Sequence, residues 1–204
     1  MGGILVEVTT KDRICVLTLN QPDKLNAMSE EMAKAFQAAV GKIRDDSEPK
    51  IAVVTGAGRA FSAGADLNMM TAMLEAKPVD NKKFIFDFYN CLLSIMDLKI
   101  PTIAAINGHA IGAGAGLALA CDMRIAANNC KIGFPFAQMG LHPGMGVEYF
   151  LSKTVGRAGT FELLMTGDPI SAEEGYRMGL FNHIVAPEAV MERAMVLATK
   201  IASV

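Results

Sequence analysis

The apolar positions change period along the chain, and each change marks an element. Residues 4–8 and 14–19 are short β-branched runs separated by polar Thr10-Lys11-Asp12, which predicts a hairpin. Asn20-Gln21-Pro22-Asp23 breaks that pattern. Ser29 then precedes Met32, Ala33, Phe36, Ala39, Val40 and Ile43, the spacing of an amphipathic helix behind a serine cap. Residues 51–55 form a compact apolar run, the mark of a buried strand. A loop with three glycines is expected over 56–66. Helix follows from about 67, breaks near Pro78 and resumes to about 97.

The second half repeats this alternation. Pro101 opens a strand over 102–106, Asn107-Gly108 turns the chain, and a helix begins around 112–117. Residues 123–126 and 131–133 read as short strands. Pro143-Gly144 precedes a helix at about 146–156, followed by helices over 158–165, 171–178 and 187–202 and a strand at 182–185. Strands alternating with helices predict an α/β fold with parallel pairing. There is no low-complexity segment or internal linker, so the 204 residues read as one domain.

Composition narrows the classes. Apolar residues make up 51% and charged residues 20%, a globular balance. The net charge of −2, with no run of like charges, argues against nucleic acid as a partner. Cys15, Cys91, Cys121 and Cys130 have no metal-site or redox spacing; the first three lie in apolar runs and are expected as buried free thiols. The start, Met1-Gly2-Gly3-Ile4, has neither a secretory pattern nor a myristoylation site. The longest apolar run, 111–121, contains three glycines and is too short to span a bilayer. A cytoplasmic protein without membrane contact is expected.

Two loops carry the candidate chemistry. After Val53-Val54-Thr55-Gly56 comes Phe61-Ser62-Ala63-Gly64-Ala65-Asp66-Leu67. After Ile103-Ala104-Ala105-Ile106-Asn107-Gly108 comes Ile111-Gly112-Ala113-Gly114-Ala115-Gly116-Leu117. In each, a buried strand enters a glycine-rich turn that starts a helix. Glycine opens dihedrals that let backbone N–H groups face a ligand, and a helix start leaves such groups without internal partners. Both loops can thus aim an N–H at one oxygen, with the helix dipole favouring negative charge there. Such turns also serve close packing alone. The Gly112-x-Gly114-x-Gly116 spacing lacks the dinucleotide fingerprint's order and lies far from the first strand.

Five ordered motifs resemble one family: Pro22-Asp23-Lys24-Leu25-Asn26-Ala27-Met28, Phe61 to Leu67, Pro101 to Gly108, Ala120-Cys121-Asp122-Met123-Arg124-Ile125-Ala126, and Leu164-Met165-Thr166-Gly167-Asp168-Pro169-Ile170. The chain resembles the enoyl-CoA hydratase/isomerase (crotonase) superfamily over nearly its whole length. The resemblance implies a spiral of repeated ββα units and an acyl-CoA thioester substrate, with no cofactor beyond the coenzyme A the substrate carries and no metal. It implies that the N–H groups of Ala65 and Ala113 form an oxyanion hole. It places the CoA and substrate contacts at Lys24, Leu25, Ala63, Asp66, Leu67, Asn68, Gly112 and Gly144. Asp66, just before Leu67, also suits a helix cap. A homotrimer, or a multiple of one, is implied as the assembly.

The chain departs from the family pattern at two positions. The family's hydratase glutamates would stand at Gly116 and Phe136, and neither residue transfers a proton. The reaction stays open among isomerisation, decarboxylation, hydrolysis and hydration. The alternative is a non-catalytic acyl-CoA-binding or interaction module. Replacement acid–base candidates are His142 and Glu148; His109, His183 and the methionines Met69, Met70 and Met73 read as structural or pocket-lining. Family members continue for several further helices, so 187–204 is expected to be the start of a truncated C-terminal helical region.

Overall fold

A computed structural model describes residues 3–204. The hairpin forms from β1 (Val6–Lys11) and β2 (Ile14–Leu19), in register from Val6↔Leu19 to Lys11↔Ile14. Its turn falls on Asp12 and Arg13, one residue later than the polar trio suggests, with φ of 52° and 65°. Two left-handed residues match the twist of a two-residue hairpin. Helix α1 (Glu30–Asp45) starts where Ser29 accepts a hydrogen bond from the Met32 N–H at 3.2 Å, and it buries the six apolar residues its spacing picks out.

The remainder winds as a spiral. Strand β3 (Ile51–Gly56) leads to β4 (Ala60–Ser62), then to α2 (Leu67–Glu75) and α3 (Pro78–Leu93). Strand β5 (Thr102–Ile106) leads to β6 (His109–Ile111) and α4 (Ala113–Ala120). Strand β7 (Met123–Ala127) leads to β8 (Lys131–Gly133), then α5 (Val147–Thr154) and α6 (Gly156–Thr166). The chain closes with β9 (Ile170–Ser171), α7 (Ala172–Arg177), β10 (His183–Val185) and α8 (Val190–Ala202). In each turn the first strand joins one sheet, ordered β1-β2-β3-β5-β7-β10, and the second joins another, ordered β4-β6-β8-β9. Among the described residues only β1–β2 and β8–β9 pair antiparallel. The α/β spiral of ββα units is therefore present.

Strands β4 and β6 correct the sequence expectation, which places loop and turn there. Three residues are too few for an alternating pattern, and Ala60-Phe61-Ser62 is buried throughout, so it has no polar face to reveal it. Against the large sheet, α8 sets a stripe of Val190, Ala194 and Ala198 on β3, β5 and β7. Cys15, Cys121 and Cys130 are buried free thiols, while Cys91, expected to be buried, is only half so. Burial pushes the Cys121 and Cys130 thiols up to about 12, so both stay protonated and inert. No helix among the described residues is long and apolar enough to cross a membrane.

Candidate active site

The first loop is fastened by hydrogen bonds. Strand β4 delivers Ser62, which is fully buried; its hydroxyl donates to the Asn26 carbonyl at 2.8 Å and accepts from the Gly64 N–H at 3.1 Å. The Ala63 N–H donates to the Leu25 carbonyl at 2.9 Å. The Met28 N–H donates to the Gly64 carbonyl at 2.7 Å, and the Asp66 N–H donates to the Met28 carbonyl at 3.0 Å, a parallel bridge between Met28 and Ala65. The groups on either side of Ala65 thus face Met28, and the N–H of Ala65 itself points to the opposite side. Asn26, fully buried at φ 53°, fixes the neighbouring turn: it accepts from the Gln21 N–H and donates to the Ala57 and Ala60 carbonyls, each at 2.9 Å. Asp66 caps α2, accepting from the Asn68 N–H at 2.8 Å and the Met69 N–H at 3.2 Å.

The second loop is fastened by packing. Gly112, at φ 54°, donates its N–H to the Gly133 carbonyl at 2.9 Å. Helix α4 has no side-chain cap, and its first seven residues are buried. The N–H of Ala113 opens that helix and has no intrahelical acceptor. Neither it nor the Ala65 N–H donates to another group among the described residues.

Two glycines let the loops meet. A Cβ on Gly64, at φ 92°, would stand 2.6 Å from the Ile111 carbonyl oxygen and 3.5 Å from the Ala113 nitrogen. A Cβ on Gly114 would stand 2.7 Å from the Ser62 Cβ and 2.8 Å from its carbonyl oxygen. Contacts that short exclude any side chain, so both glycines are needed for the backbones to touch. The two free N–H groups therefore open from adjoining backbone, and Ala65 directly follows the residue that packs on Ala113.

One helical turn further on, the wall is apolar. A Cβ on Gly116 would meet the Met145 Cβ at 2.7 Å and the Val147 Cγ1 at 3.3 Å. Met145 is buried and left-handed, at φ 58°. Phe136 is also buried. Gly144 lies under the Tyr89 ring, and a Cβ there would overlap the hydroxyl. His142 is exposed, and its Nδ1–H donates to the Pro143 carbonyl at 2.8 Å. Glu148 is exposed in the first turn of α5. His109 lies in β6, where its Nδ1 accepts from the Lys131 N–H at 2.9 Å and ties β6 to β8.

A cavity of about 720 Å³ opens beside the first loop, lined in part by Lys24, Asp66, Asn68, Met69, Met73 and Phe84. It brings Lys24, Asp66 and Asn68 together, and leaves Leu25, Ala63, Leu67, Gly112 and Gly144 outside its lining. Glu30, Glu31 and Asp80 also border it, so its rim is net acidic. Among the described residues no cluster of three or more His, Cys, Asp or Glu side chains is placed to hold a metal ion.

Asn26, Ser62, Tyr89 and Met145 shape this site, yet sequence reasoning assigns them no role in it. Asn26 carries a usable signal, since asparagine tolerates the left-handed region that a turn needs. Tyr89 carries none, because it reads as one aromatic among several on α3.

Comparison with known proteins agrees with this architecture. Residues 9–204 match the family described as enoyl-CoA hydratase/isomerase. The chain is 36% identical over 204 residues to the short-chain-enoyl-CoA hydratase of Clostridium acetobutylicum, covering 100% of this chain and 76% of that one. It is 34% identical over 194 residues to the crotonyl-CoA hydratase of Syntrophomonas wolfei, covering 95% and 74%. The solved enoyl-CoA hydratase of Bacillus anthracis superposes with a TM-score of 0.92 at 31% identity, covering 98% of this chain and 77% of that one. The spiral, the two abutting glycine-rich loops and these similarities place the chain in the enoyl-CoA hydratase/isomerase family.

Proposed function

We propose that this protein is a crotonase-type enzyme that holds the carbonyl oxygen of an acyl-CoA thioester between the N–H groups of Ala65 and Ala113. The observation that carries this reading is the pair of unpartnered N–H groups on two loops pressed together at Gly64 and Gly114. Donors fixed in advance stabilise an oxyanion without reorganising when charge develops, and one such donor is worth ~3–4 kcal/mol in a transition state. The α4 dipole adds to that field.

In this reading Lys24, Leu25, Ala63, Asp66, Leu67, Asn68, Gly112 and Gly144 form the CoA and substrate contacts. The acidic rim of the cavity disfavours phosphate inside it, so the cavity takes an uncharged part of the thioester and Lys24 meets the charged part at its edge. The names of the relatives point to enoyl-CoA as the substrate, but water addition needs proton transfer at positions that Gly116 and Phe136 occupy here. The packing of Met145 on Gly116 supports a reaction other than hydration.

The test is Ala113→Pro. Proline fits the first helical position and replaces the N–H with a ring carbon that cannot donate. Turnover of a responsive thioester from a CoA panel should fall by roughly 10²–10³-fold, with the fold retained by circular dichroism and thioester binding kept within a few-fold. Binding across the panel with no turnover would favour a non-catalytic acyl-CoA module. Failure to bind any CoA thioester would defeat the reading.

A further inference from the structure

We propose that His183 and Arg193 form a pH-sensitive latch that fastens helix α8 to strand β10, closed while the imidazole is neutral and released when it is protonated.

Strand β10 is an edge of the six-stranded sheet and runs parallel to β7, with His183 opposite Ile125. Helix α8 lies on that sheet through its stripe of Val190, Ala194 and Ala198. Two of those three are alanines, which bury little area. No side chain caps the start of α8. Among the described residues, its one side-chain hydrogen bond to another element joins the Arg193 Nη2 to the His183 Nε2, at 2.7 Å. Both residues are half-buried.

This contact depends on the protonation state of the ring. A guanidinium only donates, so Nε2 accepts and the ring proton sits on Nδ1. A second proton, on Nε2, removes the acceptor and sets an imidazolium against an arginine that keeps its charge. Arg193 lies in the first turn of α8, where the helix dipole already disfavours a cation.

The surroundings supply no counter-charge. Strand β7 and helices α7 and α8 pack on β10. Strand β7 brings Arg124, whose guanidinium donates to the Leu180 and Cys121 carbonyls. Helix α7 brings Glu173, Glu174 and Arg177, α8 brings Glu192 and Lys200, and the turn before α8 brings Glu188. Of all these charged side chains, only Arg193 acts on the imidazole. Burial, and then the Arg193 charge, hold His183 below the ordinary histidine range. The fold therefore prefers the neutral ring. The contribution of the latch is complete above the ordinary value of about 6.5, and it is lost as pH falls through that value toward the lowered native one.

Amide hydrogen exchange on the full chain tests this at about pH 8 and about pH 5, the span over which histidine changes charge. After correction for intrinsic rates, protection of the α8 amides should fall at the lower pH by roughly three-fold relative to β3, the size of one modest hydrogen bond. His183→Gln keeps an acceptor oxygen but does not titrate, so its α8 should lose that step. Arg193→Met keeps an apolar stem without the guanidinium. It too should flatten the step, and NMR titration of this variant should show the His183 pKa rising toward its ordinary value. That titration carries the test by itself if His183→Gln does not fold. An undiminished step in either variant would overturn the latch, as would a step that α8 shares equally with β3, or a His183 titration that Arg193→Met leaves unmoved.

Discussion

The two glycine-rich loops are alike in sequence, but different forces hold them. The first is pinned through Ser62, the Met28–Ala65 bridge and the Asp66 cap, all of them hydrogen bonds. The second has no side-chain cap and relies on the burial of an almost wholly apolar helix start, with one N–H bond from Gly112. The same task, aiming an N–H outward, is thus solved once by polar fastening and once by packing. The loops should therefore fail in different ways: the first by losing a partner atom, the second by gaining volume.

The largest effect should come where the two modes meet. Gly64→Ala forces a side chain into φ 92° and sets its Cβ 2.6 Å from the Ile111 carbonyl oxygen. The backbone strain alone costs about 1–3 kcal/mol, and relieving the overlap drives the loops apart. Thioester turnover should drop by more than ~10²-fold, the loss expected for one oxyanion donor, with a lower Tm. Gly114→Ala is the matched probe from the second loop: it is helical and unstrained, but its Cβ meets Ser62 at 2.7 Å. It should lose turnover to a similar degree with a smaller fall in Tm. Wild-type turnover in either variant would show that the abutment does not set the donor spacing.

Ser62→Ala should come next. It leaves the Asn26 carbonyl and the Gly64 N–H without the buried hydroxyl that joins them, a loss of about 1–3 kcal/mol for stranded buried groups. Chemical denaturation measures this directly. A change below ~0.5 kcal/mol, the size of an ordinary surface substitution, would mean that polar fastening of the first loop is dispensable. Asp66→Ala should be milder, about 1 kcal/mol for a lost helix cap, seen as a lower Tm and a raised KM for CoA thioesters. Asp66→Asn, which keeps a capping oxygen, should recover most of the Tm.

The elements with length and period were legible from sequence. Strands β3 and β5 and helix α1 announce themselves by apolar runs or spacing long enough to read, and Asp66 stands where a cap belongs. Strands β4 and β6 were hidden because three residues hold no period. That omission matters for the site: without β4 beside β6, nothing in the sequence says that residues 62–66 and 112–116 touch. Tyr89 was illegible for a related reason. It stands 55 positions before the glycine it packs on, and only the fold joins them. The left-handed Met145 contradicts local preference, since long side chains rarely adopt φ 58°, so no local rule places it on Gly116.

His142 is the smallest expected effect and the sharpest check on the comparison between the loops. It belongs to neither loop and lies exposed on the 140–146 turn, its Nδ1–H bonded to the carbonyl of the very next residue. Such a bond orders the turn locally and ties nothing to α4 or β4. His142→Ala should therefore change stability by less than ~0.5 kcal/mol, as surface substitutions usually do. Turnover should fall by less than about three-fold, because an imidazole in water gains no acid–base advantage from a low-dielectric site. Steady-state kinetics of this variant beside Gly64→Ala settles the order. A ten-fold loss in His142→Ala at unchanged Tm would put the imidazole in the chemistry, and the exposed turn would then join the buried loops in the proposed site.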